Sequence, residues 1–235
     1  MTPRHLGLDD CGRNSAMSNP AEELTRRVID DYHRLNAEAV VAQLIGHGYR
    51  AALAEDRQAA LERILESVPA GADVGAGGSL TLGQLGVLEA LRQRGHEVHY
   101  PRGGESPEEK LRLRHAGLAA RVYLSGVNAL TKDGEIVNLD GMGNRVAATC
   151  FGPERVIFVC GINKLCEDLE SAVVRVREYA APANAMRLEL DTPCAATGFC
   201  HDCDAARRIC NRLVIHLRAG RQECHFVLVN EDLGL

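Results

Sequence analysis

Four cysteines, Cys194, Cys200, Cys203 and Cys210, fall in one short stretch with the spacing Cys-x5-Cys-x2-Cys-x6-Cys. Thiolates are soft ligands, and four of them complete either a zinc site or an iron–sulfur cluster. Structural zinc usually takes two Cys-x2-Cys knuckles, and only Cys200-His201-Asp202-Cys203 is such a pair. One short pair with two outlying cysteines fits a [4Fe–4S] cluster more easily. Zinc stays open as the alternative. So does a redox dithiol, because the Cys-x2-Cys spacing lowers thiol pKa and permits a disulfide. The remaining cysteines read more simply. Cys160 ends an apolar run and is expected in the core, Cys150 and Cys166 are expected to pack, and Cys11 and Cys224 carry no assignment. The nine histidines show neither an HxxxH nor an HExxH arrangement, so no histidine-based metal site is expected.

A second candidate is Gly75-Ala76-Gly77-Gly78-Ser79-Leu80-Thr81, which joins a short strand to a helix. Glycines there let backbone approach a ligand, and the helix start offers N–H groups to an anion. The pattern is neither Walker A nor GxGxxG. A tight turn capped by Ser79 accounts for the same residues without a ligand. Asn128, Asp133, Asn144, Asn163 and Lys164 sit at polar loop tips. Asn163 and Lys164 follow a buried strand, which places them at the sheet edge that carries Ser79. Asparagine and lysine there can hold a carboxylate or phosphate, although asparagine is also a routine turn residue.

The elements that must position these groups alternate between helix and strand. Asn19-Pro20-Ala21-Glu22 is a helix start, with Leu24, Val28, Tyr32, Leu35 and Ala39 on one face and Gly46 and Gly48 as the stop. A second helix is expected over about 55–67, and another carries Leu82, Leu85, Leu88 and Leu91 up to Gly95. Ser106-Pro107-Glu108-Glu109 opens a further helix. Strands are expected at 72–75, 96–100 and 121–125, and Asp133-Gly134 turns a hairpin. The run 155–160 is almost continuously apolar, the mark of a strand buried on both faces. A helix with Leu165, Leu169, Val173 and Val176 follows, and late strands are expected at 213–217 and 226–229. The alternation means an α/β fold, three-layered, with a mostly parallel sheet.

Composition sets the frame. The chain has 235 residues, 46% of them apolar, enough for one domain with its own core. Residues 1–18 read as a disordered tail without a secretory h-region, and Met17 as an alternative start. Residues 19–235 read as one domain with an N-terminal helical arm. A net charge of −5 argues against a nucleic-acid surface, and no apolar run reaches membrane length. A cytoplasmic setting follows, where clustered cysteines favour metal or catalysis over disulfides.

The strings GAGGSLT and SGVNALTKDGEIVNLDGMGNRVAATCFGPERVIFVCGINKL closely resemble the LUD-domain family, the lactate-utilisation proteins also called YkgG-like or DUF162. The resemblance runs from about Thr25 to the end of the chain. It implies a fold of the ribose-5-phosphate isomerase and CoA-transferase-like superfamily. It also implies a place, for some members, in oxidation of lactate alongside iron–sulfur partners. The matching positions include Gly77, Gly78, Ser79, Asn128, Thr131, Asp133, Asn144, Arg145, Asn163 and Lys164. The CoA-transferase glutamate motif has no counterpart, since Glu135 lacks its surroundings, which leaves CoA-ester chemistry unsupported.

Two classes of function remain. One is an enzyme component oxidising a small carboxylate, with Gly77, Gly78, Ser79, Thr81, Asn128, Asp133, Asn144, Asn163 and Lys164 around the ligand. In it an iron–sulfur cluster on the four cysteines passes electrons. The other is a non-catalytic metabolite-binding module clipped by zinc. The partners expected are a small anionic metabolite, an iron–sulfur or electron-transfer protein and a second copy of the chain, with neither nucleic acid nor membrane.

Overall fold

The structure, a computed structural model, describes residues 19–235. The tail expected over 1–18 and Cys11 lie outside the described residues. Asn19 accepts the N–H of Ala21 at 3.1 Å and opens helix α1, Pro20–Gly46. The chain divides into two units at Tyr32, inside this helix, so its first part is described by itself. There Leu24, Val28 and Tyr32 are each more than half exposed. From His33 onward Ala37, Val40 and Leu44 are buried, one residue in three or four.

Strand β1 (Arg50–Ala54) follows and is not evident from periodicity, because its Arg-Ala-Ala-Leu-Ala sequence carries little strand preference. Helix α2 (Arg57–Ser67) starts at Asp56, whose carboxylate accepts the Ala59 N–H. Strand β2 (Val74–Ala76) leads into α3 (Leu80–Gln84). The single helix expected through Leu91 is broken at Gly86, whose φ of 63° starts a separate α4 (Val87–Gln93). Strand β3 (Val98–His99) is shorter than expected, and α5 (Pro107–Ala119) is capped by Ser106. Strand β4 (Val122–Gly126), the β5 (Ala129–Thr131) and β6 (Ile136–Asp140) hairpin, α6 (Asn144–Cys150) and β7 (Arg155–Gly161) complete the centre. A 3-10 turn over Ile162–Lys164 precedes β8 (Leu165–Cys166).

Helix α7 (Leu169–Arg175) passes through a π turn at Val176–Ala180 into α8 (Ala181–Arg187). Pro182 explains the widened turn: it has no N–H, and its ring would clash with a regular helical carbonyl. Helix α9 (Pro193–Thr197), β9 (Arg212–His216) and β10 (Glu223–Val229) end the fold.

Strands β1-β10-β7-β4-β2-β3 form a six-stranded sheet in which every pairing is parallel. Strand β7 lies inside it, as its apolar run requires. Its residues alternate between faces. Ile157 and Val159 join the core under α2, α3 and α4, while Val156, Phe158 and Cys160 join Val40, Leu44, Leu130 and Phe226 on the other side. A smaller mixed sheet, β8-β5-β6-β9, lies on that second side, and Ala129 and Val137 pack against Ala172 and Val176. The fold is thus α/β with a mostly parallel central sheet between two covering layers. Among the described residues no helix is long and apolar enough to cross a membrane.

Candidate functional site

The carboxyl ends of β2, β4 and β7 meet where the glycine loop, Gly126 and Lys164 emerge, the edge at which open parallel sheets hold ligands. A cavity of about 80 Å³ opens there, lined by Gly78, Ser79, Thr81, Asn128, Lys164 and Arg187 among others. At roughly 10–15 Å³ per water, that volume holds a molecule of a few heavy atoms.

Lys164 is the most telling group. It is 4% exposed, and its ammonium donates to Thr81 Oγ1 at 2.9 Å without a carboxylate partner. Burial pulls its pKa down to about 8; Cys160 opposes this, while Arg175 and Arg145 add smaller pushes downward. The neighbouring Cys160 thiol is pushed up to about 11, chiefly by burial. Among the described residues no Asp, Glu or His side chain lines this cavity, whose wall also includes Gly234 and Leu235 at the end of the chain. The result is a pocket whose buried amine makes no ion pair among the described residues.

The Gly-Asn-Arg stretch does different work. All five N–H groups of Arg145 are engaged: Nε on Asp140 at 3.1 Å, Nη1 on Gly126 O and Asn138, and Nη2 on Asn128 and Leu139 O. Arg145 therefore fastens β4 to β6 beneath the pocket. Gly77 makes room for it, since a Cβ there would lie 2.7 Å from Arg145 Cδ. Gly126 likewise makes room for Ser79, with a Cβ falling 2.3 Å from its Oγ. Ser79 Oγ accepts the Leu82 N–H at 3.3 Å, so the capping role and the cavity-lining role coexist.

Gly78, Ser79, Thr81, Asn128 and Lys164 are thus brought together, with Gly77 directly behind them. Asn144 lines an adjoining basin. Asp133 stands apart on the exposed β5–β6 turn, where Gly134 takes the left-handed φ of 84°. Asn163 is absent from the lining because its Oδ1 accepts the Leu233 N–H at 3.1 Å and ties the final segment down. Arg175 braces the same region through Asn128 O and Asn163 O.

Sequence reasoning missed the far wall, formed by Ala180, Ala181, Asn184 and Arg187 of the π turn and α8, with Ile209. The one available cue was Pro182 inside an otherwise helical run.

The four cysteines, all half-buried, line a second cavity of about 230 Å³ together with Arg177, His201, Asp202 and Arg208. Asp202, between Cys200 and Cys203, adopts a left-handed φ of 44°, and its carboxylate lies 3.5 Å from Arg177. Arg208 donates to the carbonyls of Cys203 and Cys210. The sulfurs match a four-thiolate group in number and in the cavity they share. They do not match it in spacing, because among the described residues no three Cys, His, Asp or Glu side chains form a metal-holding group. Leu139 and Ala181 line both cavities, and Ile209, next to Cys210, lines the first. Of the cysteine segment, Ile209 alone among the described residues reaches the first cavity.

Residues 37–229 match the family model described as the LUD domain. No curated protein sequence matches the chain. Among solved structures, a DUF162 family protein from Deinococcus radiodurans aligns with a TM-score of 0.50 at 14% identity, over 84% of this chain and 98% of that one. At this identity the likeness shows the fold alone. Ribose 5 phosphate isomerase A from Neisseria gonorrhoeae aligns at 18% identity with a TM-score of 0.31, over 48% of this chain and 54% of that one.

Proposed function

The chain belongs to the LUD-domain family, and from that premise we propose that it is a component of the oxidative use of lactate or a related small 2-hydroxy carboxylate. The observation that carries this reading is Lys164, a buried ammonium that makes no ion pair among the described residues, in a cavity sized for a few heavy atoms. A carboxylate would supply the ion-pair partner, with the Gly78–Thr81 turn and Asn128 on its flanks. Thr81 Oγ1 holds the ammonium toward it.

Cys194, Cys200, Cys203 and Cys210 are proposed to hold an iron–sulfur cluster, to which the loop must draw its sulfurs closer. Such a group supplies one-electron transfer and cannot abstract a hydride by itself, so an electron-transfer partner belongs to the same proposal.

The test has two parts. Titration calorimetry should detect lactate or glycolate binding at neutral pH that is weakened about 10- to 100-fold in Lys164→Met. Protein purified without oxygen should carry iron and acid-labile sulfide. Absence of carboxylate binding would overturn the pocket reading, and absence of iron the cluster reading.

A specific observation also favours the binding-module reading. Among the described residues no Asp, Glu or His side chain lines the cavity, so Lys164 is the titratable side chain there that would have to exchange a proton. Stoichiometric zinc without iron, and loosening of the cysteine segment on chelation, would select that reading.

A further inference from the structure

The anion pocket does not end at Gly78. A larger basin of about 390 Å³ lies beside it, and Gly78, Leu139, Arg145, Asn184 and Ile209 border both. The basin's outer wall holds Tyr100, Lys110, Arg114 and Asn144. Tyr100 stands over the glycine turn, its hydroxyl 3.8 Å from where a Gly78 Cβ would lie. Lys110 and Arg114 are four residues apart on α5 and so share a helix face. Both are half-buried, and neither makes an ion pair among the described residues.

The acidic groups nearby are otherwise occupied. Asp140, which also lines the basin, is bound to Arg145 and to the Gly143 N–H at 2.6 Å. Glu105 is held below the usual carboxylate range chiefly by the Arg102 N–H, and Lys110 is the smallest of the pulls on it. His99 is committed to Asp73 at 3.1 Å. What remains is a pair of cations, a phenol and an amide around a space too large for a carboxylate.

We propose that this basin is a phosphate-ester subsite, so that the two cavities receive a carboxylate at Lys164 and a phosphate between Tyr100, Lys110 and Arg114. A planar guanidinium and a flexible ammonium side by side suit a tetrahedral dianion, which accepts hydrogen bonds from both at once. The inner half of this assignment rests on the carboxylate reading above, and the outer half stands on its own residues. The phosphate belongs either to the carboxylate molecule itself or to a second molecule bound beside it; the probes separate these sources.

The experiment is calorimetry on the full chain with glycolate, 2-phosphoglycolate, and glycolate in the presence of inorganic phosphate. The expected result is that 2-phosphoglycolate binds at least about tenfold tighter than glycolate. In Lys110→Gln/Arg114→Gln the ratio of the two affinities should fall to about one. Arg112→Gln is the control: Arg112 pairs with Glu109 on the same helix, lies outside the basin, and should keep the ratio. An equal gain for glycolate from free phosphate, lost in the same double variant, assigns the subsite to a second molecule. A ratio near one in the unaltered protein without such a gain, or a ratio that survives the double variant, overturns the subsite. If glycolate fails to bind while phosphate binding still depends on Lys110 and Arg114, the carboxylate reading falls and the phosphate subsite stands.

Discussion

At the scale of single residues, Lys164 and Arg145 show why position alone does not assign a role. Both are cationic and buried beside one pocket, yet Arg145 has every donor satisfied and Lys164 makes no ion pair among the described residues. Lys164 predicts two opposite pH effects. Its amine titrates near 10.5 in the unfolded chain and about 8 when folded, so the unfolded chain binds more protons in between. Stability of the ligand-free protein should rise as pH climbs through that window. Carboxylate affinity should fall over the same window, because the amine loses its charge. Cys160 opposes the first trend: its thiol rises from 9.0 to about 11 on folding, which costs stability above pH 9. The difference between the unaltered protein and Lys164→Met, measured by denaturant titration from about pH 7.5 to 9, therefore isolates the amine. At neutral pH that substitution should weaken carboxylate binding about 10- to 100-fold, as expected for a lost charged hydrogen bond. Arg145→Met should instead cost about 3–5 kcal/mol of folding stability, because Asp140 keeps a buried charge without its partner.

At the scale of elements, capping residues and apolar runs carried the sequence reading furthest. Asp133-Gly134 and the 155–160 run read directly as a hairpin and a central strand, because turn geometry and two-sided burial each leave a local mark. Strand β1 left none, since its alanines take their burial from β10 alongside. Nor did Asn163 reveal that it would bind backbone 70 residues away, a partner only tertiary structure supplies. The turn and helix wall from Ala180 to Arg187 was illegible for the same reason. Asn163 carries a prediction at this scale. Together with Thr81, whose hydroxyl lies 3.4 Å from Leu233 O, it fastens the final segment over Lys164. Asn163→Ala should cost about 1 kcal/mol of stability. It should also speed acylation of Lys164 by an amine-reactive reagent, read by mass spectrometry of the modified peptide. Unchanged labelling would show that the segment stays closed without this bond.

At the scale of the whole molecule, the cysteine segment and the anion pocket form adjacent compartments of one wall. The four cysteines lie beyond the motif string that ends at Lys164-Leu165. In three dimensions the π turn and α8 stand between them: Ala181 lines both cavities, Arg177 reaches Asp202 in the cysteine loop, and Asn184 and Arg187 line the first cavity. Because no three sulfurs form a metal-holding group in this arrangement, loading with iron–sulfur or zinc must move the 198–210 loop. Ile209, next to Cys210 in that loop, is part of the first cavity's lining and is expected to shift with it. Metal content should therefore change carboxylate affinity, by about 5-fold or more if the coupling is of ordinary size. Linkage then requires the carboxylate to change metal affinity by the same factor. Glycolate titrations of metal-loaded protein, of chelated protein and of Cys200→Ser/Cys203→Ser measure the first effect. Competition with a chromogenic chelator, with and without glycolate, measures the second. Equal factors would make the two cavities one functional unit, and no effect in either direction would reduce the cysteine segment to a clip.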